Sequence, residues 1–244
     1  MSDKKTLFVV SDVHGHYTLL KDALEKSGFD SKNDSHILIC CGDYFDRGDE
    51  NVEVFNFFKE IKNKVLIRGN HEDSLLKVLQ TGKMEDHNYI NGTIRTIEDF
   101  FDGYYINPLN DRIDFFDTTG TVKKLSDFIM GTLNYFETKN YVFVHGWLVD
   151  RGDTTEGRKN ATDEQWEKAR WERWTDRYFD ERPLDDKTLI CGHMPTFFAK
   201  QLGYDCGEDF SGIFYGNGLI AIDAGTYNTQ KVNVLVIEDE LNFN

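Results

Sequence analysis

"CGDYFDRGDEN", residues 41–51, follows directly on the apolar run Ile37-Leu38-Ile39-Cys40, and it holds more chemistry than a turn needs. Gly and Asp suit a turn at a strand end, because Gly tolerates positive φ and Asp can hydrogen-bond its own backbone. The same stretch also gathers Asp43, Asp46, Asp49 and Arg47. Whether these serve geometry or chemistry is decided by the rest of the chain.

The pattern of an apolar run ending in a polar cluster recurs. Thr6-Leu7-Phe8-Val9-Val10 leads to Ser11-Asp12-Val13-His14, and Val65-Leu66-Ile67-Arg68 leads to Gly69-Asn70-His71-Glu72. Tyr141-Val142-Phe143-Val144 leads to His145-Gly146, and Thr188-Leu189-Ile190-Cys191 leads to Gly192-His193. Their length, β-branching and glycine punctuation predict strands. Leu19, Leu20, Ala23 and Leu24, then Val54, Phe55, Phe58 and Ile61, have helical spacing. The first third therefore reads β-α-β-α-β, the order of an α/β fold. In such folds the loops at the carboxyl ends of the strands converge on one crevice, so all these clusters are expected to face one site.

The totals narrow the function classes. With 244 residues, 39% of them hydrophobic, the chain can bury a sizeable core. No apolar run approaches the ~20 residues of a membrane helix. The start has too short an apolar stretch before Asp12 to be a signal peptide, so no membrane association and a cytoplasmic location are expected. Cys40, Cys41, Cys191 and Cys206 lack CxxC spacing and are expected to be buried thiols. A net charge of −15 argues against a nucleic-acid partner, which needs a basic face. It leaves phosphate substrates open, since bound metal reverses the local sign. Residues 75–140 are polar and aromatic-rich, with helical spacing over 93–101 and 122–130, and are taken as a helical insertion. Residues 218–225 and 231–237 alternate with period two and predict an antiparallel hairpin.

Together the strand ends offer Asp12, His14, Asp43, Asn70, His145 and His193. This oxygen and nitrogen set without thiolate suits Mn²⁺, with Fe or Zn²⁺ as alternatives. It is too large for one tetrahedral ion, but two ions ~3.5–4 Å apart, bridged by a carboxylate and a water, would use it all. Such a pair makes hydroxide available near neutral pH and clamps phosphoryl oxygens, which points to phosphoester hydrolysis. His71 could protonate the leaving oxygen and Asp46 orient its ring. Arg47 with a second arginine could hold the phosphate.

In order along nearly the whole chain, "SDVHG", "GDYFDRG", "RGNHE", a later "HG" and "CGHMPT" resemble the phosphoprotein-phosphatase branch of the metallophosphoesterases. "WER" and "IDAGT" add a likeness to small bacterial and bacteriophage serine/threonine phosphatases. The resemblance implies one catalytic domain over 1–244, with a four-layer α-β-β-α fold, a mixed β-sandwich and a helical cap. It implies that Asp12, His14 and Asp43 hold one metal and that Asp43, Asn70, His145 and His193 hold the other. His71 would be the general acid, Asp46 its partner, and Arg47 and Arg173 the phosphate-binding pair, with Arg170 a competitor for the last place. Ser11 departs from the family's Gly, and Trp147 stands where many relatives have a second Gly. His16, His36 and His87 are left as ordinary histidines. The activity implied is hydrolysis of phosphoserine or phosphothreonine in proteins. The alternatives are hydrolysis of dinucleoside polyphosphates on the same core and, more weakly, a non-catalytic docking module.

Overall fold

The computed structural model describes residues 4–179, 181–204 and 209–241. β1 (Lys4–Val10), β2 (His36–Cys40) and β3 (Lys64–Leu66) run parallel, with α1 (Tyr17–Lys26) and α2 (Asn51–Glu60) between them, matching the β-α-β-α-β order. Phe8, Val10, Leu38 and Cys40 pack with Leu20 and Leu24 of α1 and Val54, Phe55 and Phe58 of α2. Leu7, Val9, Ile37 and Ile39 belong to a separate cluster on the other face. Successive strand residues point to opposite faces, so strands buried on both faces read as unbroken apolar runs.

α3 (Asn70–Thr81) starts four residues after β3 ends and keeps Leu75, Val78 and Leu79 in the cluster that α1 and α2 cover. Next come α4 (Asp86–Asn91), α5 (Thr93–Phe100), β4 (Tyr104–Asn107), β5 (Arg112–Phe115) and α6 (Thr121–Met130). The helices at 93–101 and 122–130 are where their spacing puts them. Between them, in a stretch taken as helical, β4 and β5 pair antiparallel from Tyr104↔Phe115 to Asn107↔Arg112.

The second sheet begins with β6 (Phe136–Glu137) and β7 (Tyr141–Phe143). After α7 (Thr155–Asn160), α8 (Asp163–Trp171) and α9 (Trp174–Arg177) come β8 (Thr188–Cys191), α10 (Phe198–Gln201), β9 (Phe214–Gly216) and β10 (Leu219–Ala221). Its order is β6-β7-β8-β10-β9, with β7, β8 and β10 parallel. Val142, Leu189, Cys191 and Leu219 pack with Trp166 of α8 and Trp174 of α9. Phe143, Ile190 and Ile222 join Leu7, Val9, Ile37 and Ile39 of the first sheet. The layers are therefore helix, sheet, sheet, helix.

The expected hairpin of 218–225 with 231–237 does not form. β10 turns back on β9 through the two residues Asn217-Gly218, with Gly218 at φ 73°, a conformation that glycine adopts without steric cost. After α11 (Thr226–Thr229), β11 (Leu235–Glu240) crosses to the first sheet and pairs antiparallel with β1. Period two marks a strand without naming its partner, and Leu235 is drawn into the core between the sheets. Cys40, Cys41 and Cys191 are buried free thiols, while Cys206 lies outside the described residues. Among the described residues no helix is long and apolar enough to cross a membrane.

Candidate active site

Register brings the strand ends level. Val10 pairs with Cys40 and Cys40 with Leu66 in one sheet, Phe143 with Ile190 in the other. Beyond those pairs the loops continue to bond. Asp12 N donates to Gly42 O at 3.0 Å, His14 N to Asp43 O at 3.0 Å and Gly192 N to His145 O at 2.8 Å. Asp12, His14, Asp43, Asp46, Arg47 and His193 all have positive φ. Non-glycine residues seldom adopt this region, and such strain collects at functional sites. The loops also cross closely. A Cβ on Gly42, itself at φ 92°, would lie 2.7 Å from Gly69 Cα and from His145 Nδ1.

Asp43 stands at the centre. His14, Asp43 and His71 form one group, and Asp43, His145 and His193 a second, the donor atoms of each lying within 4.8 Å of one another. His14 Nδ1 donates to Phe45 O at 3.0 Å, which turns Nε2 toward Asp43 Oδ2, 3.7 Å away. His145 Nδ1 donates to Cys41 O at 2.7 Å. In that tautomer its Nε2 lone pair faces two acceptors, Asn70 Oδ1 at 2.8 Å and Asp43 Oδ1 at 3.4 Å. Lone pairs converging with no proton between them fit a cation, and carbonyl bonds at the far ring nitrogen are how metal-binding imidazoles are oriented. Asp12 stands outside both groups. Its Oδ2 accepts from His193 N at 2.9 Å and from Ser11 Oγ.

Charge separates the histidines by role. Burial, then the Arg47 charge, pushes His14 well below its usual range, and burial, then His145, takes His193 down to about 3. Both are neutral near pH 7, as ligands must be. His71 goes the other way. Burial opposes its charge, but Asp43 and the Asp46 hydrogen bond raise it to about 9. Its Nδ1 donates to Asp46 Oδ2 at 2.8 Å, and Arg47 Nη2 lies 3.4 Å from its Nε2. A charged imidazole held this way suits a proton donor.

Arg47 and Arg173 line the cleft over this cluster with Asp43, Asn70, His71 and His193. Arg170 does not. It is buried, ion-paired with Asp73, and donates to Asn134 Oδ1 at 2.9 Å. Trp147 packs against the core of the second sheet. The space that Ser11 takes in place of the family's glycine is left by Gly192, whose Cβ would collide with Ser11 Oγ.

Two supporting sets escaped the sequence reading. Glu72, fully buried, accepts from Asp43 N, Tyr44 N and Gly69 N at 2.8 to 2.9 Å, tying the β2 loop to the start of α3. Thr93 and Thr96 of α5 donate to Asp46 at 3.0 and 2.6 Å, so the insertion fixes the residue that orients His71. The Glu of "GNHE" was the visible signal for the first. Nothing in the local sequence marks the threonines.

Two parallel-cored sheets flanked by helices, with carboxylates, imidazoles and an Asn gathered at the strand ends beneath two arginines, define a metal-dependent phosphoesterase. The calcineurin-like phosphoesterase family matches over residues 5–222, and the chain belongs to that family. It is 29% identical over 220 residues to serine/threonine-protein phosphatase 2 of Salmonella typhimurium, covering 84% of this chain and 89% of that one. It is 34% identical over 85 residues to a symmetrical bis(5'-nucleosyl)-tetraphosphatase of Coxiella burnetii, a match that spans 35% of this chain and only 28% of the relative's length. A protein serine/threonine phosphatase from Saccharomyces cerevisiae shares the fold, with a TM-score of 0.54 at 16% identity over 98% of this chain and 81% of that one.

Proposed function

We propose that this chain hydrolyses phosphate monoesters on serine or threonine side chains of proteins, with two Mn²⁺ ions as its cofactors. Asp12, His14 and Asp43 would hold one ion, and Asp43, Asn70, His145 and His193 the other. When bound, the ions supply Lewis acidity and a water of lowered pKa. The observation that carries the reading is the Asp46–His71 pair at 2.8 Å, set against the shared carboxylate Asp43 and under Arg47. Asp46 keeps the Nδ1 proton and fixes the ring, so Nε2 is the position from which a proton reaches the leaving oxygen. Arg47 and Arg173 receive the phosphate oxygens from the mouth of the cleft.

For the substrate class, support comes from two sides. In sequence, the relative matched over nearly its full length carries a protein-phosphatase name, while the tetraphosphatase of Coxiella burnetii is matched over a fragment. Trp171, Met194, Pro195, Phe197 and Phe198 line the same cleft as the arginines, which suits a peptide flanking one phosphate better than a chain of phosphates. The test is kcat/KM on phosphoserine and phosphothreonine peptides beside diadenosine tetraphosphate, in the same Mn²⁺ and salt. The peptides are expected to be preferred. A tenfold preference for the dinucleotide, ~1.4 kcal/mol of transition-state stabilisation, would replace this reading with the tetraphosphatase one.

A further inference from the structure

One parallel strand end has no part in the site as described so far. β10 runs beside β8 with Ala221 opposite Cys191, and the ladder continues as Ile222 N donates to Cys191 O at 3.0 Å. The next residue, Asp223, therefore emerges beside Gly192-His193, as the other strand ends emerge beside one another. "LIAID", residues 219–223, repeats the pattern of an apolar run closed by a carboxylate.

Asp223 is 2% exposed. One carboxylate oxygen accepts from Gly225 N at 2.7 Å, and its carbonyl accepts from Thr196 N at 2.9 Å. Among the described residues it forms no ion pair. A buried carboxylate without a counter-charge is costly, and Asp12 is near enough to repel it. Asp43 repels it as well, with Arg47 on the favourable side. Two hydroxyls on the segments that Asp223 bonds, Thr196 Oγ1 and Thr226 Oγ1, are each 1% exposed by residue and have no partner among the described residues. Buried hydroxyls of this kind ask for an ordered water or a hydrated ion. Two divalent ions also bring more charge than Asp12 and Asp43 can balance.

We propose that Asp223 is a further acidic residue of the metal centre, supplying the negative charge and hydrogen-bond acceptor for the hydrated ion held beside Asp12. The inference rests on the binuclear reading above. It makes Asp223 a positioning residue that sets metal affinity and leaves proton transfer to His71.

Metal-stripped wild type and Asp223→Asn are titrated with Mn²⁺ by calorimetry, with free Mn²⁺ followed by electron paramagnetic resonance. Asn keeps the volume and an acceptor for Gly225 N, so mainly charge is removed. Wild type should bind two ions. In the variant one of the two should weaken roughly ten- to a hundredfold, the usual effect of losing a group that supports a ligand shell, while the other holds. Asp223→Ser, run in parallel, should show the same selective loss. Two unchanged sites in a folded Asp223→Asn would overturn the role of Asp223 and leave the binuclear reading intact. Failure of the wild type to bind two ions would overturn the binuclear reading itself. Loss of the fold in both metal-free variants would mark Asp223 as structural and also overturn the proposal.

Discussion

Arg170 and Arg173 sit three positions apart, yet burial gives them opposite work. Arg170 is held by Asp73 and Asn134 inside the packing of α8 against α3. Arg173, exposed at the start of α9, reaches the cleft. Arg170→Ala leaves Asp73 without that partner and should lower stability to denaturant by about 3–5 kcal/mol, the range for breaking a buried pair. Arg173→Ala should leave stability within about 0.5 kcal/mol, as surface changes do, and weaken inhibition by inorganic phosphate. The reverse pattern would exchange their roles. His71 invites a test by pH. Its folded pKa of about 9 lies above the unfolded 6.5, so in metal-free protein it contributes stability in full below pH 6.5 and loses it as pH rises through 9. The stability difference between wild type and His71→Ala, measured by urea unfolding, should therefore shrink by on the order of 3 kcal/mol between pH 6 and pH 10. A difference that stays flat would mean that His71 is neutral in the folded chain.

At the scale of elements, the strand-end motifs were the most legible part of the chain, because a buried parallel strand writes its length and its terminal cluster into one short run. Pairing was less legible. β10 and β11 alternate equally well, and period two does not say that β10 pairs with β9 while β11 crosses to β1. The β4–β5 hairpin was hidden because Tyr104, Ile106, Ile113 and Phe115 form strands too short for periodicity to separate from helix. What holds the loops together was hidden for another reason: it depends on contacts between distant segments. Glu72 binds three amides from two loops, and removing it leaves three buried N–H groups unpaired. At about 1–3 kcal/mol for each orphaned group, Glu72→Ala should destabilise the metal-free protein by several kcal/mol in urea. It should also weaken Mn²⁺ binding, since Asp43 and Asn70 lose their common anchor. A loss below about 1 kcal/mol would mean that the loops are fixed by something else.

Across the whole molecule, the candidate ligands are divided between the two sheets. Asp12, His14, Asp43 and Asn70 follow strands of the first, His145 and His193 follow strands of the second. Two hydrogen bonds already cross that boundary at the site, His145 Nδ1 to Cys41 O at 2.7 Å and His193 N to Asp12 Oδ2 at 2.9 Å. Directly behind them lies the inter-sheet core of Leu7, Val9, Ile39, Phe143 and Ile190. Metal and core would thus clamp the same two layers, one by coordination and one by burial, and calorimetric melting with and without Mn²⁺ can tell their contributions apart. An ion that binds only the folded chain adds about 2.7 kcal/mol at a hundred times its Kd, so Tm should rise with Mn²⁺ in wild type. Phe143→Ala should cost about 3–5 kcal/mol through the cavity it leaves, lowering Tm while the Mn²⁺-dependent rise persists. His145→Ala should instead remove much of that rise, because it takes away one of the two imidazoles, His145 and His193, that the second sheet offers to an ion next to Asp43. If both His145→Ala and His193→Ala kept the full Mn²⁺-dependent rise, the ions would be held by the first sheet alone, and the sheets would owe their union to the apolar core.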